Sequence, residues 1–351
     1  MAKIFSWQNF YIIMKDFSQL SNQILNKINQ SHRILLHCHP SPDADSVGGV
    51  LAMAEGLLQL NKQVKIISGD TPKSDIFNCL PGYKNILSQS YHQTDLSQFD
   101  LFIIQDSSSY NQITKFSPVT FPSHLQTIVI DHHITNQGFA DINLVDPSAP
   151  SVCEILFYLF QSWQLNITPD IATNLYVGIH SDTGGFQYPG TTSKTLQAGA
   201  KLAEINPNFP HYLFELNNHQ RQDMVKYLGL ALTHLELYSN SKIIISNVTQ
   251  QDLHQHHIDL NLIQNSEVAN ILKSVIGWEI VASFIETDLN LVKVSLRTRD
   301  PDKYNLGQIA ARLGGGGHPA AAGINLKMSP DQASQLLVKT IQQMYPQDFP
   351  S

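Results

Sequence analysis

The chain has 351 residues, 42% of them hydrophobic and 15% charged, with a formal net charge of −7. That length favours two domains over one, and the acidic balance excludes a protein that coats long nucleic acid with a stripe of Lys and Arg. Three scattered cysteines, Cys38, Cys79 and Cys153, exclude a disulfide framework and a cysteine-built zinc knuckle.

Residues 1–30 read as an N-terminal helical extension, with the apolar stretch 10–14 (Phe-Tyr-Ile-Ile-Met) suited to docking. Lys15 and Asp16 follow it without a small-residue cleavage site, so it is not read as a secretion signal. No apolar run reaches bilayer-spanning length, which predicts a soluble, cytoplasmic protein without membrane contacts. Three short runs rich in branched residues, 33–38, 101–105 and 127–130, read as strands buried on both faces. With a helix over about 46–60 and a strand over 63–68 they predict an α/β fold for residues 31–205: a doubly wound, mostly parallel sheet with helices on both faces. Helical periodicity follows at 152–163, 169–179, 193–204 and 211–238. The segment 206–210 (Asn-Pro-Asn-Phe-Pro) breaks helix, so 206–240 is read as a linker with a connector helix. A smaller α/β domain is expected over 241–345, with strands 243–246, 279–285 and 292–296 and helices 266–275, 306–313 and 329–344.

Acids and histidines gather at four places: His39-Pro-Ser-Pro-Asp43-Ala-Asp45, Asp106, Asp131-His132-His133 and His180-Ser-Asp182. Three of these follow strand-like runs, so His39, Asp106 and Asp131 emerge at the carboxyl edge of the predicted sheet, where open α/β sheets build their sites. Each has a plainer reading alone: Asp43 or Asp45 as a helix cap with His39 a loop histidine, Asp106 as turn chemistry, and Asp182 in a helix-ending loop. Asp131-His132-His133 at a buried strand tip carries a desolvation cost that metal coordination would offset. Together the four point to a two-metal hydrolase, because two neighbouring divalent cations need several anionic oxygens, one or two imidazoles and a shared carboxylate. Imidazole and oxygen donors without thiolate suit Mn2+, with Mg2+, Co2+ or Zn2+ as other occupants. Two such ions acidify a bridging water and stabilise charge on a phosphoryl group, which predicts phosphate-ester hydrolysis.

A second constellation lies near the C-terminus. Arg297 and Arg299 share a face of a predicted strand and can clamp phosphate oxygens. Gly314, Gly315, Gly316 and Gly317 can wrap an anion with their backbone N–H groups, and His318 adds a donor. The alternative is a flexible glycine turn beside a solvated strand face. A metal centre on one domain and an anion clamp on the other predict a substrate with two phosphate groups, one cleaved and one recognised. His254, His256 and His257 read as surface loop, and His211, His219 and His234 as structural.

These motifs resemble the DHH phosphoesterase family, named for the triplet present here as Asp131-His132-His133, over nearly the whole chain. The layout ending in Gly-Gly-Gly-Gly-His is similar to that of its nano-RNase group, oligoribonucleases that also dephosphorylate adenosine 3′,5′-bisphosphate (pAp). The resemblance implies two Mn2+ ions, one held by His39 and Asp43 and the other by Asp45 and His132, with Asp106 and Asp182 shared by or adjacent to both. It implies His133 beside the reacting phosphate, so that His133, Asp131 and Asp106 are the candidate catalytic residues. Arg297, Arg299, the four glycines and His318 fall in the substrate-binding C-terminal domain. The expected activity is a Mn2+-dependent phosphodiesterase on short single-stranded RNA or linear dinucleotides such as pApA, with nucleoside bisphosphates as further substrates and a homodimer as the assembly. A single-strand exonuclease, a cyclic-dinucleotide phosphodiesterase and an inactive nucleotide-binding regulator are the alternatives. Many relatives carry an arginine shortly after the residue at 106, whereas this chain reads Ser-Ser-Ser-Tyr-Asn-Gln. Fewer basic contacts to substrate are expected in consequence.

Overall fold

The computed structural model describes residues 7–350 apart from 117 and 264, with side chains described from residue 17. Contacts divide the chain between His219 and Gln220 into two units, each with its own six-stranded sheet.

In the first unit α1 (Trp7–Gln30) leads into β1 (Arg33–His37), α2 (Ala44–Gln59), β2 (Gln63–Ile67), β3 (Ile86–Leu87), β4 (Leu101–Gln105), β5 (Gln126–Asp131) and β6 (Ile142–Val145). Helices α3 (Val152–Ser162), α4 (Pro169–Asp182), α5 (Ser193–Ile205) and α6 (Phe209–Asn217) complete it. Residues 1–6 of the expected extension, and the side chains at 10–14 expected to dock, lie outside the described residues. All strands are parallel, in the order β3-β2-β1-β4-β5-β6.

Strands β1, β4 and β5 are continuously apolar because both faces of the sheet are covered. Ile34, Leu36, Ile103, Ile128 and Ile130 share a core with residues of α2, α3 and α4. On the other face Leu35, Phe102, Ile104 and Val129 pack with Tyr91, Phe99, Ile113 and Leu125 from 3-10 turns and loops. The chain winds outward from β1 to β2 and β3 on one side and to β4, β5 and β6 on the other. The carboxyl ends of β1 and β4 are therefore neighbours whose following loops part, which is the switch point where such sheets take ligands. Strand β6 escaped the sequence reading because it is four residues long, alternates in burial and lies at the sheet edge.

Helices α2 and α4 meet backbone to backbone. A Cβ on Gly48 would lie 2.3 Å from the carbonyl oxygen of Asn174, so only glycine permits the approach. Gly48→Ala is expected to cost about 1–3 kcal/mol through overpacking, read as a lower urea midpoint with an unchanged slope. An unshifted midpoint would show that the two helices can part freely.

The second unit comprises α7 (Gln222–Thr233), β7 (Leu235–Tyr238), β8 (Ile243–Val248), α8 (Gln250–Gln255), α9 (Asn265–Leu272), β9 (Ile280–Asp288), β10 (Leu291–Thr298), α10 (Leu306–Arg312), β11 (Gly316–His318), β12 (Ala321–Leu326) and α11 (Pro330–Met344). Its sheet runs β11-β12-β10-β9-β8-β7, with β8 and β9 parallel and the other neighbours antiparallel. One face packs on α10 and α11, the other on α7 and α9. The continuous helix expected over 211–238 is instead α6, α7 and β7. Pairing of Leu235–Tyr238 with β8 overrides the helical preference of that stretch. No helix among the described residues is long and apolar enough to cross a membrane.

Candidate active site

The turn from β1 into α2 supplies the first side chains. Asp43 caps α2, its Oδ1 accepting from the N–H groups of Asp45 (3.1 Å) and Ser46 (3.0 Å). The same Oδ1 lies 3.8 Å from His39 Nε2, so the cap and the ligand readings are compatible. Asp45, in the first turn of α2, is fully buried and reaches across to α3. Its Oδ2 accepts from Val152 N–H (2.6 Å) and its Oδ1 from Cys153 N–H (3.0 Å). A buried carboxylate is costly alone; here the first-turn amides of α3 hold it as helix N-termini hold anions. The sequence does carry a signal for that helix start, Ser151 three residues before Glu154, with the Ser151 side chain capping Glu154 N–H. Nothing in the sequence joins it to Asp45.

Asp106 follows β4 with a φ of 51°, a left-handed conformation that aspartate tolerates better than most residues. Only 2% exposed, it lies between two imidazoles: Oδ2 is 3.2 Å from His39 Nε2 and Oδ1 is 3.5 Å from His132 Nε2. Asp182, expected in a loop beyond a helix ending at 179, is the last residue of α4, with Oδ2 3.5 Å from His132 Nε2. His180 turns away from these carboxylates and packs with Tyr176 and Phe186.

Asp131 ends β5, and its burial is offset by hydrogen bonds within the protein rather than by metal coordination alone. Oδ1 accepts from His132 N–H (2.9 Å) and from His133 Nδ1 (2.8 Å), and Oδ2 accepts from Asn136 Nδ2 (2.7 Å). Asn136 also donates to Ser107 O at 3.1 Å, tying the β4 and β5 loops together; a lone asparagine in a loop gave no sign of this. By accepting the Nδ1 proton, Asp131 fixes the tautomer of His133 and leaves Nε2 available on a side chain 32% exposed.

The donors fall into groups. His39, Asp43 and Asp106 form one and Asp45, His132 and Asp182 another, each with ligand atoms within 4.8 Å of one another. Asp106 joins a third group with Asp131, His132 and His133, so it faces both imidazoles that could hold a cation. Two ligands of one octahedral cation at about 2.1 Å stand about 3 Å apart, close to the separations of His39 and His132 from their carboxylates. His132 Nε2 is buried and has no hydrogen-bond partner. An orphaned imidazole nitrogen among carboxylates, without thiolate, fits a hard divalent cation.

The electrostatics agree. Burial first, and then Asp106 for Asp45 and Asp45 for Asp182, push these two carboxyls above the usual range. Burial opposes charge on His39 and His132, but the Asp106 carboxylate beside each outweighs it and raises both, His39 to about 11 with a further contribution from Asp43. Burial also opposes charge on Asp106, yet His132 and His39 hold it below the carboxylate range. Without a cation the cluster retains protons that a divalent ion would displace.

In the second unit Arg297 pairs with Ala321, which pairs with His318, so the three form one row on one face across β10, β12 and β11. The small Ala321 leaves room between a guanidinium and an imidazole. Arg297 is steadied by Asn270 Oδ1 (2.9 Å), and Arg299 donates to Ser274 O (3.0 Å). The glycine run is not the open loop expected. Gly314, at φ 79°, ends α10, and the N–H groups of Gly314 and Gly315 donate back to Ala311 and Ala310 carbonyls, which occupies two donors of the expected anion nest. Gly316 to His318 form edge strand β11, where a Cβ on Gly317 would lie 2.5 Å from Ala321 O. His254, at the end of α8, and His256 and His257 beyond it are exposed and join no metal-type group among the described residues.

Comparison with known proteins follows the same division. The model of the DHH family N-terminal domain matches residues 33–179, and that of the DHHA1 domain matches residues 240–345. The chain belongs to the DHH family. This DHH protein is 26% identical over 325 residues to the bifunctional oligoribonuclease and PAP phosphatase NrnA of Bacillus subtilis, covering 91% of this chain and 96% of that one. It is 27% identical over 310 residues to the probable bifunctional oligoribonuclease and PAP phosphatase NrnA of Streptococcus mutans, covering 86% and 92%. An exopolyphosphatase-related protein from Bacteroides fragilis shares the fold, with a TM-score of 0.84 at 21% identity over 93% of this chain and 97% of that one. With its family and its carboxylate–imidazole cluster, this DHH protein is a metal-dependent hydrolase.

Proposed function

We propose that the protein is a Mn2+-dependent phosphodiesterase that removes nucleotides from very short RNAs or splits linear dinucleotides such as pApA, and that also removes the 3′-phosphate of pAp. The observation that carries this reading is the pair of carboxylate–imidazole groups facing a common Asp106. In it His39, Asp43 and Asp106 hold one cation and Asp45, His132 and Asp182 the other. Bound there, two divalent cations supply an acidified water and charge stabilisation for phosphoryl transfer. Asp131 holds His133 by Nδ1, so that Nε2, which carries no proton in that tautomer, is left free beside the reacting phosphate as a proton acceptor. The row Arg297, Ala321, His318 takes the second phosphate of the substrate. The NrnA relatives, named as oligoribonucleases and PAP phosphatases, support this choice over the other phosphoesters the site could cleave.

The test is the initial rate with Mn2+ on pAp, pApA, 5′-phosphorylated RNAs of two to about twenty nucleotides, lengths that straddle a small-site limit, and cyclic di-AMP. A steep fall in rate with length is expected. Equal rates on long strands would favour a processive exonuclease, and faster turnover of the cyclic dinucleotide would overturn the linear-substrate reading.

A further inference from the structure

We propose that Tyr188 is a platform on which a nucleobase of the substrate stacks, an inference that rests on the nucleotide-hydrolase reading above. The loop after Asp182, residues 183–191 (Thr-Gly-Gly-Phe-Gln-Tyr-Pro-Gly-Thr), carries no charged side chain. Whatever it adds to recognition beside a metal ligand is therefore not an ion pair.

Its backbone is wound tightly. Gly184 (φ 57°), Gly185 (φ 69°) and Phe186 (φ 65°) are consecutive left-handed residues. For a bulky side chain such as Phe186 that region is a genuine outlier, and it persists only where the surroundings over-determine it. Here they do. Buried Thr183 accepts Phe186 N–H at Oγ1 (3.0 Å), and its carbonyl accepts the N–H groups of Gln187 and Tyr188 (2.9 Å each). The Phe186 ring is anchored between Tyr176 and His180, with centroids 6.1 and 6.0 Å away.

The product of this construction is the placement of Tyr188, which is 53% exposed. A Cβ built on Gly184 would lie 2.5, 2.5 and 2.8 Å from Cζ, Cε1 and Cε2 of Tyr188. Near-equal distances to three ring carbons put Gly184 under the face of the ring rather than at its edge. One face is thus seated on a glycine two residues from Asp182, while more than half of the residue stays open to solvent. A rigid aromatic face backed by main chain suits any base, because every base has a π face. That is the tolerance an enzyme acting on short RNAs of mixed sequence requires.

The rival role is structural, with Tyr188 sealing Gly184 from water. To separate them, wild type, Tyr188→Phe and Tyr188→Leu are compared on pAp and on ribose 3,5-bisphosphate, which lacks the base, with thermal melts as a folding control. Wild type is expected to show the lower KM on pAp. Tyr188→Leu is expected to raise the pAp KM about tenfold, the scale of one lost base stack, at unchanged kcat and with no change on the base-free compound. Tyr188→Phe restores the low KM. Equal losses on both compounds, or no loss on either, overturn the platform. Wild type that hydrolyses both with equal KM overturns the platform alone, whereas wild type that hydrolyses neither overturns the nucleotide-hydrolase reading and the platform with it.

Discussion

Asp106→Asn is expected to lower kcat by at least about 10³, the loss of several kcal/mol of transition-state stabilisation, and to leave the protein folded but short of at least one cation. Asp106 is the carboxylate that faces both His39 and His132. Each of the other candidate ligands reaches one imidazole or the other in the two metal-type groups, so no neighbour can take over both duties. The substitution isolates charge. Asparagine has nearly the same shape and is at ease at the φ of 51° found here, so the backbone has no reason to move. An amide is a poorer cation ligand than a carboxylate, and its NH2 group repels a cation where an oxygen attracted it. Metal content by mass spectrometry, a thermal melt and kcat on pAp form the check. A variant that keeps two cations and a rate within about tenfold of wild type would show that the two groups fill independently of Asp106.

Chelator-treated protein is expected to lose stability as pH rises from about 6.5 to 9, and divalent cation to restore it. Asp182, raised to about 9, holds through this window a proton that the unfolded chain has released, and Asp45, raised to about 7, does so only at its lower end. His39 and His132 are raised as well, so they too stay protonated in the folded state after the unfolded chain has lost its protons. For Asp182, His39 and His132 across the window, and for Asp45 at its lower end, the native state binds more protons, and stability therefore falls as pH rises. The opposing groups do not reach the window: Asp106 is depressed and acts only at acid pH, and buried His37, lowered to about 4 chiefly by desolvation, is neutral in both states above about 6.5. A few kcal/mol of linkage corresponds to a fall in Tm of about 5–10 °C for a domain of this size. Saturating Mn2+ displaces the retained protons and should raise Tm further at pH 8.5 than at pH 6.5. The matching signature is proton release on binding, read by calorimetry in two buffers of different ionisation enthalpy. A flat or rising Tm across the window in chelator would contradict the picture of a proton-holding cluster.

Strands β1, β4 and β5 were legible because burial on both faces leaves an unbroken run of branched residues, and the metal-type donors were legible because they follow those runs at once. Other features have no such imprint. β6 and β7 are short edge strands that exist through their neighbours, and β12 is built from alanine and glycine around Ile324 and Leu326. The glycine run misled for a physical reason. The residue type that can wrap an anion is also the one that ends a helix and lets two strands approach, and only the position of Ala321 O and the Ala310 and Ala311 carbonyls tells these uses apart. Least visible were supports that use main chain or distant partners, such as the α3 amides under Asp45, more than a hundred residues away along the chain, and Asn136 behind Asp131.

The grip of α3 on Asp45 makes the hydrophobic core the back wall of the site. Cys153, whose N–H holds the carboxylate, also sends its thiol towards the Asp45 carbonyl (3.6 Å) and into the space left open by Gly178, where a Cβ would lie 2.3 Å from Sγ and 2.8 Å from Asp45 Oδ1. A single added methyl at that buried spot would displace an oxygen of the carboxylate proposed above as a cation ligand. Variation deep inside this enzyme, at positions no substrate touches, would then surface as altered metal affinity before it surfaced as unfolding, and screens that score residues by distance from the reacting phosphate would overlook it.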